Sequence, residues 1–502
     1  MTRWIVPSIV FGAFLAYLAA SAVHLPLRSR EGFNLTELGR LPVAMNGRVQ
    51  PIDSVARMGL LQIRGTTTVP LDDMRPWQVR TRTLGATEWL LEVLTKPDAA
   101  DTRRIFPVTD ATLVAKLQLK TAGSRTTYYA FTELEPKVEE IAREVRRIGK
   151  LKPADWAEWE REVLKLRNAL VIYERLKNSL QPNSFLQHEA NGKPIAYDFA
   201  ALLSQYRVDL RAGAKTAIAR EHGSQEQLEK STEDRMRAFA RPFTGVARAG
   251  SLAVIPPANP SRSNDHWHNI GTILVDSARS GQLALPVAYF AAISSASSQG
   301  KAGIFNQEVT KYREWLTANG LAPEVSKARY EFFYNFFQPL VRAVAVYVAG
   351  LILLCASWWK RSAALYRSAV LLIGLGAVLH TVGLAFDMML SGHPPVTNRY
   401  SLIIFAGWGI AWLAFVAAQV RRNSMGMAAA ALSGVIALIV AHSLAPGGLL
   451  ALMQAVFDLT FLAAALVAAL IVWRTGSDAR SGRAVLDRPG KRAAQAFASE
   501  PV

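Results

Sequence analysis

The sequence predicts a mainly α-helical, polytopic membrane protein of about six spans. A large, mostly helical water-soluble domain is expected between the first span and the second. Three observations carry this expectation. Residues 340–473 are almost continuously apolar, residues 25–335 are rich in Arg, Lys, Glu and Asp, and an apolar run, Trp4–Val23, precedes them. A helical crossing takes about 20 apolar residues, and a chain of 502 residues holds several such runs beside a sizeable soluble domain.

Trp4–Val23 is the first span. Ala20-Ser21-Ala22 imitates a signal-peptidase site, so a cleaved leader is the rival reading. The length of the apolar run and the single preceding cation, Arg3, favour an uncleaved anchor. Four further spans are expected at about Arg342–Trp359, Ser368–Met389, Tyr400–Val420 and Met425–Leu444. A sixth, about Leu449–Trp473, contains Gln454, Asp458 and Thr460, and its first turns suit the membrane surface. The domain boundaries are therefore 1–24 for the anchor, 25–335 for the soluble domain, 336–473 for the membrane domain and 474–502 for a basic tail. The tail has no apolar pattern to fold around and reads as disordered.

Orientation follows from the connections. Lys360-Arg361 with Arg367, Arg421-Arg422, and Arg474–Lys491 fall on alternate loops, while Ser391–Arg399 and Ala445–Gly448 carry only Arg399. Short Lys/Arg-rich loops stay on the cytoplasmic side. That rule puts both termini inside and residues 25–335 outside. It also accounts for much of the net charge of +18, which on its own would suggest nucleic acid. Other cations share helices with acids, as in Glu139–Arg147, and no nucleic-acid-binding motif is present. The lone Cys355 excludes an internal disulfide and any paired-thiol or zinc pattern, and is expected to be a packed thiol.

In the soluble domain, Asn46-Gly47 predicts a tight turn between strand-like flanks. Pro51 with Asp53 or Ser54 predicts a helix start, with the helix over Val55–Ile63. Residues 131–180 predict a helical hairpin with arms Glu135–Ile148 and Asp155–Leu180 joined by Gly149–Pro153. On it Trp156, Trp159, Val163, Leu166 and Leu170 recur at helical spacing as a core face. His266-Trp267-His268 lacks a third ligand nearby, so it reads as the approach to a helix capped by Asn264 or Asp265 rather than as a metal site. The aromatic run 329–337 before Pro339 suits an interfacial belt. There is no catalytic triad, thiol pair or nucleotide loop, so no catalytic residue and no metal ligand is assigned.

The most informative segment is Gly392-His393-Pro394-Pro395-Val396-Thr397-Asn398-Arg399-Tyr400-Ser401, between two apolar runs. Neither proline continues a helix, and each drives its predecessor toward extended backbone. The segment is expected to be a rigid polar loop, with Pro394, Pro395, Thr397, Asn398 and Tyr400 as its motif residues. Together with Leu379-His380-Thr381-Val382-Gly383-Leu384, the opening Leu41-Pro42-Val43…Asn46-Gly47-Arg48-Val49…Pro51-Ile52-Asp53…Ala56-Arg57, and Tyr330-Glu331-Phe332-Phe333-Tyr334-Asn335, it resembles the CcsA-type (ResC-like) cytochrome c biogenesis proteins. The resemblance is to their long form and runs from about residue 36 to about 458.

The resemblance implies a bacterial cytoplasmic membrane protein that assists delivery of haem across the membrane and its attachment to apocytochrome c, with a ResB-like partner subunit. It also implies histidine ligands to haem. The candidates are His380, deepest in a span, then His393 and His442. His380 and Asp387 lie seven apart on one helix face, about 10 Å along the axis, where they could frame a polar cavity. The family's tryptophan-rich haem-handling segment, WGxxWxWD, is absent. The chain is therefore expected to be truncated or frameshifted, or to work with a separate polypeptide that carries the segment. The alternative function is a membrane-anchored scaffold, or a relic of that machinery, that binds partners but not haem.

Overall fold

The computed structural model of the chain describes residues 4–23, 29, 31–71, 83–120, 127–182, 198–221, 230–260, 266–392, 394–396 and 399–443. It is mainly helical, with three two-stranded antiparallel sheets among the described residues. The chain divides into two compact units, Leu25–Asn335 and Met1–His24 with Phe336–Val502. The expected sixth span and basic tail lie outside the described residues.

In the first unit the turn at Asn46-Gly47 forms as expected. Both residues have positive φ, 53° and 77°, the requirement of the turn type whose twist matches a two-residue hairpin. Pro42–Met45 pairs with Arg48–Pro51 across it, Met45 opposite Arg48. The following helix spans Ile52–Arg64 and closes on Gly65 in the left-handed conformation. It begins three residues before Val55 because Pro51 occupies the cap position, while Asp53 and Ser54 lie inside the first turn.

The helical hairpin comprises Val138–Ile148 and Glu158–Lys177. Its arms are tied by Glu160, which accepts from Arg147 Nη2 at 2.6 Å and from the Ala157 N–H at 2.9 Å. That backbone N–H first, then Arg147, holds the Glu160 carboxyl below its ordinary range. Val163, Leu166 and Leu170 are buried on the expected face. Further along, Asp101 accepts from Tyr173 Oη at 2.8 Å and Lys177 Nζ at 2.6 Å. Burial, then the Asp101 charge, raises the Tyr173 hydroxyl well above its usual range, so it remains a donor.

Two local expectations are corrected. His268 is extended, its backbone bridging that of Ile255, and the next helix, Ile270–Ser280, is capped by Asn269, whose Oδ1 accepts from Thr272 N at 2.8 Å. Asn264 and Asp265 lie outside the described residues. Cys355 is exposed rather than packed, because it sits on the face of its helix turned away from its neighbours.

Among the described residues of the second unit, five helices are long and apolar enough to cross a membrane. They are Ile5–Ala22, Pro339–Lys360, Ala363–Ser391, Arg399–Arg421 and Ser424–Ser443. Each lies within a few residues of an expected span. Two connections are very short, Arg361-Ser362 and Arg422-Asn423, so successive helices pack antiparallel. Both connections turn through an arginine at positive φ, 47° and 50°, where L side chains cost about 1–2 kcal/mol.

Tyr347 fastens three of these helices. Its fully buried ring lies so close to Gly376 and Gly434 that a Cβ on either would come within 2.8 Å and 2.6 Å of ring carbons. Glycine is required at both because a confined aromatic ring cannot yield. Gly434→Ala is expected to destabilise the protein by about 1–3 kcal/mol, read as a lower thermal midpoint in detergent. Tyr347→Phe should leave that midpoint unchanged or raise it, because the hydroxyl has no hydrogen-bond partner among the described residues.

Candidate functional site

Several polar side chains of the membrane unit meet along the seam between Ala363–Ser391 and Arg399–Arg421. Both helices are apolar enough to span, so polar groups on their facing surfaces must satisfy one another. His380 is fully buried, and its Nε2–H donates to the Ile404 carbonyl at 3.2 Å. A carbonyl can only accept, so Nε2 carries the proton and Nδ1 the lone pair. Nδ1 is buried and has no partner among the described residues. The ring meets Tyr347 edge-on, with centroids 6.3 Å apart.

Two turns along the His380 helix toward the 392–398 loop, Asp387 Oδ2 accepts from Ser401 Oγ at 3.3 Å. His380 and Asp387 each engage the neighbouring helix separately, which follows from their separation along the axis.

Thr381 is the hub of the seam. Its hydroxyl donates to the Ala377 carbonyl at 2.8 Å and accepts from the indole N–H groups of Trp408 at 2.8 Å and Trp412 at 3.0 Å. A hydroxyl offers one donor and two lone pairs, so Thr381 is saturated. The tryptophans reach it because residues four apart share a helix face.

The other expected residues are placed unequally. His442 is buried, and its Nδ1–H donates to the Leu438 carbonyl of its own helix at 2.8 Å. Its ring lies 6.3 Å from that of Tyr400. Gly392 ends its helix in the left-handed conformation. Pro394 and Val396 are exposed and Pro395 is buried, and the Val396 N–H closes on the Pro394 carbonyl at 2.8 Å, a tight turn. His393, Thr397 and Asn398 lie outside the described residues.

A second polar cluster lies within the first unit, Leu25–Asn335. Glu331 Oε2 accepts from Arg48 Nη2 at 2.7 Å and Oε1 from Ser54 Oγ at 2.6 Å. Asn335 Nδ2 donates to Ser54 Oγ at 2.7 Å and to Asp53 Oδ2 at 3.3 Å. Asp53 also accepts from Arg57 Nε at 2.7 Å and Thr87 Oγ1 at 2.9 Å. Both carboxylates are buried beside the first turn of Ile52–Arg64, where the positive end of the helix favours them. Phe332 packs on Gly39 and under the Arg40 guanidinium, 5.3 Å from its ring centroid. The aromatic run is therefore not only an interfacial belt, since Glu331 and Phe332 turn inward onto the 35–57 segment.

Sequence reasoning missed Tyr347, the saturation of Thr381 and the Glu331 cluster. The available signal for the first was a tyrosine inside a span facing glycines in two later spans. Among the described residues no group of three or more His, Cys, Asp or Glu could hold a metal ion. No protein-family model matches the chain, and no curated protein matches it.

Thr381→Val is expected to leave both indole N–H groups without their acceptor. It should lower stability in detergent by about 1–2 kcal/mol, given the modest worth of hydrogen bonds within membranes, while Thr381→Ser keeps the wild-type midpoint. For the second cluster, a double-mutant cycle on Ser54→Ala and Glu331→Ala should give a coupling of about 1 kcal/mol. The readout is denaturant unfolding of the full chain followed by hydrogen exchange in residues 46–64.

Proposed function

We propose that this chain is a membrane component of cytochrome c maturation of the CcsA type, assisting haem delivery to apocytochrome c with a ResB-like partner subunit. The observation that best supports this reading is where the resembling stretches fall. Residues 46–57 and 330–335, far apart in sequence, meet in one buried polar cluster through Glu331. Residues 379–384 hold the His380 and Thr381 contacts to the next helix. Three of the four stretches that carry the resemblance are thus spent on internal contacts. The alternating Lys/Arg connections support a cytoplasmic membrane protein with residues 25–335 on the outer side.

Haem enters this reading as cargo. His380 has the donor arrangement of an axial ligand, one ring nitrogen held by a carbonyl and the other left free for a metal. The ring is also enclosed, with no exposed surface, so a haem iron reaches Nδ1 only if the packing around that side of the ring opens. A partner chain, including a separate polypeptide bearing the tryptophan-rich segment, is the natural agent of such opening. The same enclosure favours the second reading, a scaffold that recruits partners without touching haem.

Removal of the gene from its host separates these readings from an unrelated role. Loss of haem-stained cytochrome c with apocytochrome still synthesised is expected, and unchanged holocytochrome would overturn the proposal. The chain purified alone should lack a Soret band; a band lost in His380→Ala would establish haem ligation by this polypeptide and remove the scaffold reading. Reporter insertions at Gly149 and Asn423 are expected in opposite compartments, and a shared compartment would refute the topology.

A further inference from the structure

One end of the membrane unit is built differently from the other. Pro339–Lys360 and Arg399–Arg421 terminate there in the same motif. The Ser362 N–H bonds to Ser357 O at 3.2 Å and the Asn423 N–H to Ala418 O at 3.0 Å, each closing around a left-handed residue. Glycine is the usual occupant of that position, and Gly392 holds it where Ala363–Ser391 ends, at the opposite end of the unit. At the first end the position is held by Arg361 and Arg422. Complementing the helix dipole does not require them, because Lys360 and Arg421 already occupy the last turns. Two exposed arginines are therefore kept at positions the backbone would rather give to glycine.

The surroundings are uniformly cationic. Residues 356–368 and 418–428 contain Lys360, Arg361, Arg367, Arg421 and Arg422 and no Asp or Glu. Exposed indoles stand among them. Trp359 is 82% exposed, with Lys360 Nζ 4.8 Å from its ring centroid, and Trp4 is 54% exposed, with the Arg367 guanidinium at 4.9 Å. Tryptophan prefers the headgroup level of a bilayer, so these pairs hold their cations at the depth of lipid phosphates.

We propose that this end of the membrane unit is a docking surface for anionic phospholipid headgroups, with Arg361 and Arg422 as principal phosphate contacts. The chemistry recognised is a phosphodiester anion presented at an interface, and the source is lipid rather than free phosphate. The inference rests only on the helices crossing a membrane and is independent of any role in haem handling.

The test compares the full-length protein and Arg361→Gly/Arg422→Gly in detergent, titrated with phosphatidylglycerol, phosphatidylcholine or inorganic phosphate. Glycine suits the left-handed position, so the variant should fold with an unchanged or higher thermal midpoint without lipid. Arg361→Asn/Arg422→Asn serves as a second variant with the same backbone tolerance. Phosphatidylglycerol is expected to raise the wild-type midpoint and to bind the glycine variant about thirtyfold more weakly, the worth of two cations near an anionic surface. Phosphatidylcholine and phosphate should have no effect. Equal phosphatidylglycerol binding by wild type and both variants would overturn the proposal, as would equal stabilisation by phosphatidylcholine. Stabilisation by phosphate alone would identify a simple anion site instead.

Discussion

The unit Leu25–Asn335 depends on the carboxylate of Glu331. Glu331 receives Arg48 from the strand after the first turn and Ser54 from the first helical turn, so the beginning and end of the unit are held by one side chain. A buried carboxylate is tolerable only when its lone pairs are filled. Here the arginine is half-exposed, which keeps the cost of desolvating it low, while the serine and Asn335 complete a network with Asp53. The preceding hairpin matters because it sets Arg48 and Ser54 at the right separation. Its two positive-φ residues fix the register that points Arg48 at the acid.

The membrane unit obeys the same accounting with fewer groups. Polar atoms between apolar helices have no water to fall back on. Thr381 meets that demand completely, taking two indoles and returning one bond to its own helix. His380 meets it by half, one nitrogen spent on Ile404 and one without a partner among the described residues. That asymmetry makes the seam a structural joint at Thr381 and a chemically open position at His380, one residue away.

Much of the architecture was legible in the sequence because it rests on local rules. The spans follow from uninterrupted apolar length, and their ends deviate by only a few residues. The Asn46-Gly47 turn follows from residues that accept positive φ. The helix after it was expected too late because Asp53 and Ser54 look like caps, when their side chains instead serve Glu331 and Asn335. That duty is invisible locally, since its partner lies at the far end of the unit. The aromatic run was read as a membrane belt for the same reason: periodicity exposes a face but not what covers it. His380 was legible as a singular residue inside a span, and its bond to a backbone carbonyl was not, because carbonyls leave no mark in a sequence.

The glycine clamp on Tyr347 bears on how the protein is made. The ring belongs to the first helix of the long apolar region, but its seat is completed by Gly434, in Ser424–Ser443. The intervening helices must leave the ribosome before that seat exists, a delay of seconds at ordinary elongation rates. Through that interval the ring has only the part of its seat that Gly376 supplies. Biosynthesis of this unit therefore contains an obligatory waiting state, closed by the arrival of one glycine-bearing helix.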